Sequence, residues 1–508
     1  MNRTTLSLAA AVTALAAVTG FAALSAPEGG TGTVTNTALP ARLPVERSTL
    51  LCPAPSNSEV AETVYTSFTP VGEGEGAGQA ELKPSAATAD ETTADPKKAS
   101  TAKKAPAADK PVVALTQPGK PVSAEADGGD APALVGSASG RLAPGWTAQQ
   151  TTKVPAGGGR GMLGVSCTAP DTDFWFPGAS TAAQRADYVH LTNPDDTATV
   201  ADIELYGPNG ALKTQLTEGI TVPARSSVPV LLSTLTADPA AEDVTVHVAT
   251  RSGRVGAVVR SADEKLGSDW LPASADPAGT LVLPGIPADA TSVRLVAYAP
   301  GEDDAQLKVQ LAGPAGTIVP AEARELHVKS GMTAAVDLKD VTRGEAGSLL
   351  LSPAQKGRAT PVVAALRVVR GKGGDQEVAF IPATGPVGER ATAADNRAKG
   401  TTLSLTAPGE TAEVKVTASA GTEGGTPATK TYTVKGGTTL AVAPPVPAGL
   451  KGSYALTVET VSGGPVHAAR TLAEPDDGIP MFTVQTLADD RGTVEVPTAR
   501  QDLSVLGD

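Results

Sequence analysis

Short bursts in which apolar and polar residues alternate run along most of the chain. Val244-Thr245-Val246-His247-Val248, Leu307-Lys308-Val309-Gln310-Leu311 and Val414-Lys415-Val416-Thr417 are representative. A period of two describes a strand with one dry and one wet face. Gly and Pro separate the bursts, and outside the first 25 residues no run of a dozen keeps the 3.6-residue period of a helix. The pattern predicts an all-β chain.

The bursts recur in a fixed order. Three segments open with a strand and a turn: Tyr188-Val189-His190-Leu191-Thr192-Asn193-Pro194, Val293-Arg294-Leu295-Val296-Ala297-Tyr298-Ala299-Pro300 and Leu403-Ser404-Leu405-Thr406-Ala407-Pro408. Each closes with a hairpin, at Val255-Gly256-Ala257-Val258, Pro361-Val362-Val363-Ala364 and Pro465-Val466-His467-Ala468. The repeat length of about 105 residues is that of an immunoglobulin-like sandwich. The Trp that marks true immunoglobulin domains between paired Cys is missing, so the analogy is to the sandwich alone. A fourth, earlier hairpin pairs Gly161-Met162-Leu163-Gly164-Val165-Ser166-Cys167 with Asp173-Phe174-Trp175-Phe176-Pro177. It marks a degenerate first copy. The expected organisation is a first β module over residues 42–180 and β-sandwich repeats over 181–276, 277–390 and 391–508. In this alignment Trp175 and Trp270 occupy matching places. The short connections after them predict modules strung into a semi-rigid rod.

Composition changes this picture in two places. Aromatics are only 3 % of the chain, so the cores must be built from Val, Leu, Ile and Ala. Residues 72–130 hold few large apolar side chains and carry the run Asp95-Pro96-Lys97-Lys98-Ala99-Ser100-Thr101-Ala102-Lys103-Lys104-Ala105-Pro106. That segment reads as a disordered Lys/Pro/Ala-rich insertion within the first module.

The N-terminus reads as an export signal over residues 1–25. Arg3 is followed by an uncharged stretch to Ala26, with Ala23 and Ser25 at the −3 and −1 positions of a cut. The alternative is an uncleaved N-terminal anchor. No later segment is long and apolar enough to span a bilayer, so the mature chain is expected to have no membrane span. A formal net charge of −13 argues against nucleic acid as a partner. The two cysteines, Cys52 and Cys167, are most simply one disulfide in an exported chain; the alternative is two free buried thiols.

Candidate chemistry is sparse. His190, His247, His327 and His467 lie one to a strand, and no pair has metal-ligand spacing. Gly157-Gly158-Gly159-Arg160-Gly161 has no helix after it to bind phosphate and reads as a hairpin turn. Acid pairs such as Asp195-Asp196 and Asp489-Asp490 sit at turns beside Gly or Pro. No catalytic residue, metal or cofactor is expected. Among the aromatics, Trp175 with Phe174 and Phe176, then Trp270 and Trp146, could stack on a sugar ring or a protein partner. The bland alternative is that they fill cores or module junctions.

The stretch Cys167-Thr168-Ala169-Pro170-Asp171-Thr172-Asp173-Phe174-Trp175-Phe176-Pro177-Gly178, followed by Leu191-Thr192-Asn193-Pro194, resembles domain-of-unknown-function family 5719, a family of exported actinobacterial proteins. Cys52-Pro53 and Gly140-Arg141-Leu142-Ala143-Pro144-Gly145-Trp146 resemble it too. The resemblance implies export and β-rich structure, and no agreed activity. The expectation is a non-enzymatic structural or interaction protein, secreted or retained at the cell envelope, whose partner is an envelope protein or glycan. The alternative is a carbohydrate-binding protein that recognises envelope glycan through exposed aromatics.

Overall fold

The period-two bursts become strands, and thirty-two of the strands fall into four groups of eight. The computed structural model describes residues 41–72, 74, 76–88, 103–104, 110–214, 218–355 and 357–496. The expected signal segment over 1–25 and the Lys97-Lys98 pair lie outside these residues. All thirty-two strands belong to one unit, residues 43–494.

Module I contains β1 (Arg47–Cys52), β2 (Glu62–Phe68), β3 (Ala80–Pro84), β4 (Val113–Leu115), β5 (Val122–Asp127), β6 (Leu134–Ser139), β7 (Thr147–Val154) and β8 (Gly161–Ser166). Module II contains β9 (Asp173–Ala179), β10 (Arg185–Thr192), β11 (Thr199–Gly207), β12 (Ile220–Val222), β13 (Ser226–Leu231), β14 (Val244–Ser252), β15 (Gly256–Asp263) and β16 (Gly267–Leu271). Module III contains β17 (Leu281–Ile286), β18 (Ala290–Tyr298), β19 (Ala305–Ala312), β20 (Glu325–Val328), β21 (Thr333–Asp337), β22 (Gly347–Pro353), β23 (Val363–Arg370) and β24 (Glu377–Pro382). Module IV contains β25 (Arg390–Asn396), β26 (Thr401–Ala407), β27 (Ala412–Gly421), β28 (Ala428–Val434), β29 (Thr438–Val442), β30 (Tyr454–Gly463), β31 (His467–Ala473) and β32 (Phe482–Leu487).

Each module repeats one topology. Its first, sixth, third and fourth strands form one antiparallel sheet, in that order, and its fifth, second, seventh and eighth form the other. The first strand thus pairs with the sixth, whereas in an immunoglobulin constant domain it pairs with the second. Four clusters of Val, Leu, Ile, Ala and scattered aromatics hold the sheets together, centred on modules I to IV. The low aromatic content is met by these aliphatic cores, as composition requires.

Three expectations need correction. Within the supposed disordered insertion, residues 80–84, 113–115 and 122–127 are β3, β4 and β5. Large apolar residues are few there, but Leu82, Val113 and Leu115 fall on one face and fill the core of module I. Position, not density, decides whether a sparse segment can bury surface. Residues 89–102 and 105–109 of that segment lie outside those described.

The module boundaries also shift. Asp173–Ala179 is the first strand of module II, paired with β14, not the closing hairpin of module I. Trp175 is therefore in the first strand of module II and Trp270 in its last, so the two are not equivalent.

The modules form a closed ring instead of a rod. The eighth strands meet in a cycle: β8 against β16, β16 against β24, β24 against β32, and β32 against β8. The first strand of each module also packs on the seventh of the next, with β1 on β15, β9 on β23, β17 on β31 and β25 on β7. Several of these strands are dry on both faces. β16, β17 and β24 are buried at every residue, so the alternation that marks a half-exposed strand is lost there.

Trp270 is one plug of this ring. It is 1 % exposed and packs among Ala61, Val154, Leu163 and Val165 of module I and Val258 of module II. Truncation of a buried Trp to Ala typically costs about 3–5 kcal/mol. The indole Nε1 has no hydrogen-bond partner, and its removal recovers part of that cost. We expect Trp270→Ala to lose about 3 kcal/mol in urea titration, with amide exchange rising on both sides of the I–II junction. An unchanged midpoint would show that this junction contributes nothing.

Candidate functional site

Strand β9 divides its aromatics between two faces. Phe174 and Phe176 turn into the core of module II, their near-parallel rings 6.3 Å apart. Trp175 turns outward, toward module III. There the indole stacks on His247 at 3.8 Å and on Tyr298 of module III at 5.4 Å, with Tyr206 beside it at 6.4 Å. His247 stands opposite Trp175 across the β9–β14 pair. Its ring is fixed by two carboxylates, Glu204 on Nδ1 at 2.9 Å and Asp173 on Nε2 at 2.8 Å. The Tyr206 hydroxyl donates to the same Glu204 oxygen at 2.8 Å. The bond from His247 holds the Glu204 carboxyl below its ordinary range, while burial, reinforced by Glu204, pushes the Tyr206 phenol up. The indole is 9 % exposed, so its surface is spent on neighbours.

The other candidates are elsewhere. Trp146 is buried in module I, where its Nε1 donates to Ser67 Oγ at 2.9 Å. A Cβ on Gly136 would come within 2.5 Å of the Trp146 ring, so glycine makes room for it. Trp270 lies at the I–II junction, edge-on to His190 at 5.1 Å. The five aromatics therefore occupy two separate cores and two separate junctions, and the structure brings them to no shared face.

What the structure does bring together is a polar cluster where the four eighth strands meet. Asp269 of β16 is 1 % exposed. Its Oδ1 accepts from the backbone N–H of Gly164 in module I at 3.1 Å, and its Oδ2 from the Thr483 hydroxyl of module IV at 3.1 Å. Glu377 of β24 has a fully buried side chain; its Oε1 accepts from the N–H of Met162 in module I at 3.1 Å. Arg160 of module I donates to the Gln376 carbonyl at 2.5 Å, with the Glu377 carboxyl 3.8 Å away. A Cβ at Gly267, where φ is +87°, would lie 2.9 Å from Glu377 Oε2, so the carboxyl fits only against glycine. Burial pushes Glu377 up to about 8 and Asp269 well above the carboxylate range. Burial thus favours the neutral form of each carboxyl.

A second set of polar residues ties module IV to module I. Gln149 Oε1 accepts from the N–H groups of Ala394 at 2.8 Å and Asp395 at 3.1 Å, and from Arg470 at 3.2 Å. The Thr151 hydroxyl donates to Asp395 at 2.8 Å, and Arg397 pairs with the same carboxylate. Arg470 is fully buried, and burial brings its guanidinium down to about 10. None of these residues was singled out by sequence. A lone acid at the head of an apolar strand, as in Gln376-Glu377-Val378-Ala379-Phe380-Ile381, is the signal that could have found Glu377.

Cys52 and Cys167 are bonded to each other, tying the end of β1 to the residue after β8. Gly157-Gly158-Gly159-Arg160 is the turn between β7 and β8. The four histidines lie one each on β10, β14, β20 and β31. Among the described residues, no group of three or more His, Cys, Asp and Glu side chains could hold a metal, and no helix is long and apolar enough to cross a membrane.

No curated protein and no solved structure matches the chain. A family model does, over residues 122–445, from the edge strand of module I to the middle of module IV. That span covers more than half of the chain, and on it the chain belongs to the DUF5719 family, a family of unknown function.

Proposed function

We propose that this chain is a non-catalytic exported protein, a ring of immunoglobulin-like sandwiches that acts as a structural or interaction protein at the cell envelope. One observation carries the reading. Four buried titratable groups, Asp269, Glu377, Asp395 and Arg470, bond across module junctions, where they hold the ring closed. A scaffold that spends its polar groups on rigidity presents its outer loops and strand edges in fixed positions. The Cys52–Cys167 disulfide supports an oxidising compartment. The N-terminal segment, with Arg3, its uncharged stretch and the small residues at 23 and 25, supports export. Glycan recognition through Trp175 would require the indole to leave its stack on His247 and Tyr298, and nothing in the geometry favours that.

Expression of the full chain in an export-competent bacterium, followed by fractionation and intact-mass measurement, tests the proposal. The expected product lies outside the cytoplasm, has lost about 25 residues, and yields a linked Cys52–Cys167 peptide. Cross-linking should join it to an envelope component. Cytoplasmic retention with free thiols would overturn export, and turnover of glycoside, ester or peptide substrates would overturn the non-catalytic reading.

A further inference from the structure

The four junctions of the ring are built alike, except one. At each, the end of a module's third strand approaches the fifth strand of the next module. At I–II, Ala86 N–H donates to the Arg225 carbonyl at 2.7 Å. The short strand Ala87–Thr88 then runs parallel to β13, with Ala87 beside Ser226 and Thr88 beside Ser227. At II–III, the Thr333 hydroxyl of β21 donates to the Tyr206 carbonyl at the end of β11, at 2.7 Å. At III–IV, Thr439 N–H of β29 donates to the Gly313 carbonyl just past β19, at 3.0 Å, and the Thr317 hydroxyl to the Gly437 carbonyl at 2.8 Å.

At the fourth junction this third-to-fifth-strand contact is open, although the inner strands of the two modules are joined. At IV–I, the residues after β27 face β5 across a groove lined by Val122, Ser123, Ala124, Glu125, Thr422 and Glu423. Among the described residues no hydrogen bond crosses it. β5 is the edge of its sheet, bonded on its inner side to β2 alone. Ser123, Glu125 and Asp127 point to solvent, and Ala124 and Ala126 rest on the core of module I. An unpaired edge is a template for another strand. Glu125, Asp127 and Glu423 make this one acidic.

We infer that the open IV–I groove is a strand-docking site, and that its occupant is an extended segment of a partner polypeptide carrying Lys or Arg at alternate positions. Two observations select that occupant. The equivalent edge in module II is already extended by an added strand of this chain, Ala87–Thr88, so the fifth-strand edge accepts β-augmentation. The acidic rim complements basic side chains projecting from such a strand. The inference names the partner class for the interaction reading and rests on it. Its test uses purified full-length protein in solution, so a failure to bind leaves the fractionation result unaffected.

The probe is a capped peptide of sequence Thr-Lys-Val-Lys-Val-Lys-Thr, labelled for fluorescence anisotropy and followed by amide hydrogen exchange. The expected result is saturable binding near physiological salt, with new protection confined to residues 122–127. The Glu125→Lys/Glu423→Lys double variant, changed at two exposed positions, should fold normally and bind at least tenfold more weakly, on the order of 1.4 kcal/mol. A peptide N-methylated at alternate residues, which cannot complete the backbone ladder, should not bind. Absence of protection at 122–127 would overturn the proposal. So would binding that survives both charge reversal and N-methylation, since that marks general attraction of a cationic peptide to an acidic protein.

Discussion

Glu377→Gln should make the ring more stable at pH 9 than the native chain, and leave it unchanged at pH 4. The native carboxyl is raised to about 8 by burial, against an ordinary value of 4.5. The folded state therefore holds a proton that the unfolded chain gives up between these values. The contribution of the neutral group is fully present below pH 4.5 and is lost as pH rises through 8. At 1.36 kcal/mol per pH unit the loss is on the order of 5 kcal/mol. Glutamine keeps the shape and the acceptor for Met162 N–H but does not ionise. Urea titrations at pH 4, 7 and 9 should show the native midpoint falling with pH, and the variant's midpoint falling less. Asp269, raised for the same reason, supplies the slope that remains. Parallel curves for the two proteins would show that Glu377 is ionised in the ring, paired with Arg160, and the account of a carboxyl kept neutral by burial would fail.

Loss of the disulfide should have an effect of similar size by a different route. Cys52 and Cys167 are 115 positions apart. Closing so long a loop restricts the unfolded chain by about 4–5 kcal/mol in the chain-entropy picture. The enclosed chain contains β2 to β8, hence nearly all of module I. Its core is thin, with β4 only three residues long. A Cys52→Ala/Cys167→Ala double variant should therefore unfold module I at markedly lower urea, seen as early loss of amide protection on β1 and β6. Protection equal to that of the oxidised protein would mean that packing across the ring, not the cross-link, holds module I.

Strands, repeat and cross-link were legible because each leaves a local mark. Alternation in Leu307-Lys308-Val309-Gln310-Leu311 gives β19, whose burial follows the letters one by one. The ring was not legible because its contacts erase that mark. Residues of β16 and β24 are dry on both sides, so nothing in the letters says which face meets its own sheet partner and which a neighbouring module. The mistaken match of Trp175 with Trp270 has the same origin. Each has a Pro two positions on, Pro177 and Pro272, and only hydrogen-bond pairing, with β14 for one and β15 for the other, tells an opening strand from a closing one. The polar junction escaped notice because Gln149, Asp269 and Arg470 come from three modules and converge only after closure. The sparse segment around β3 to β5 failed in the opposite sense, since three large aliphatic residues and many alanines suffice when they share a face.

Closure also sets an order in time. Gln149 and its partner Ala394 are 245 positions apart, so a chain emerging from its N-terminus cannot complete module I's outer contacts until module IV exists. The entropy of such a closure grows only logarithmically, about 0.6 kcal/mol per doubling, so the finished ring loses little by it. The rate pays instead: long-range β pairing is slow, and unpaired edges stay exposed while it is pending. For a chain delivered end first, the first module to arrive is the last to be finished, and until then it depends on its own cross-link.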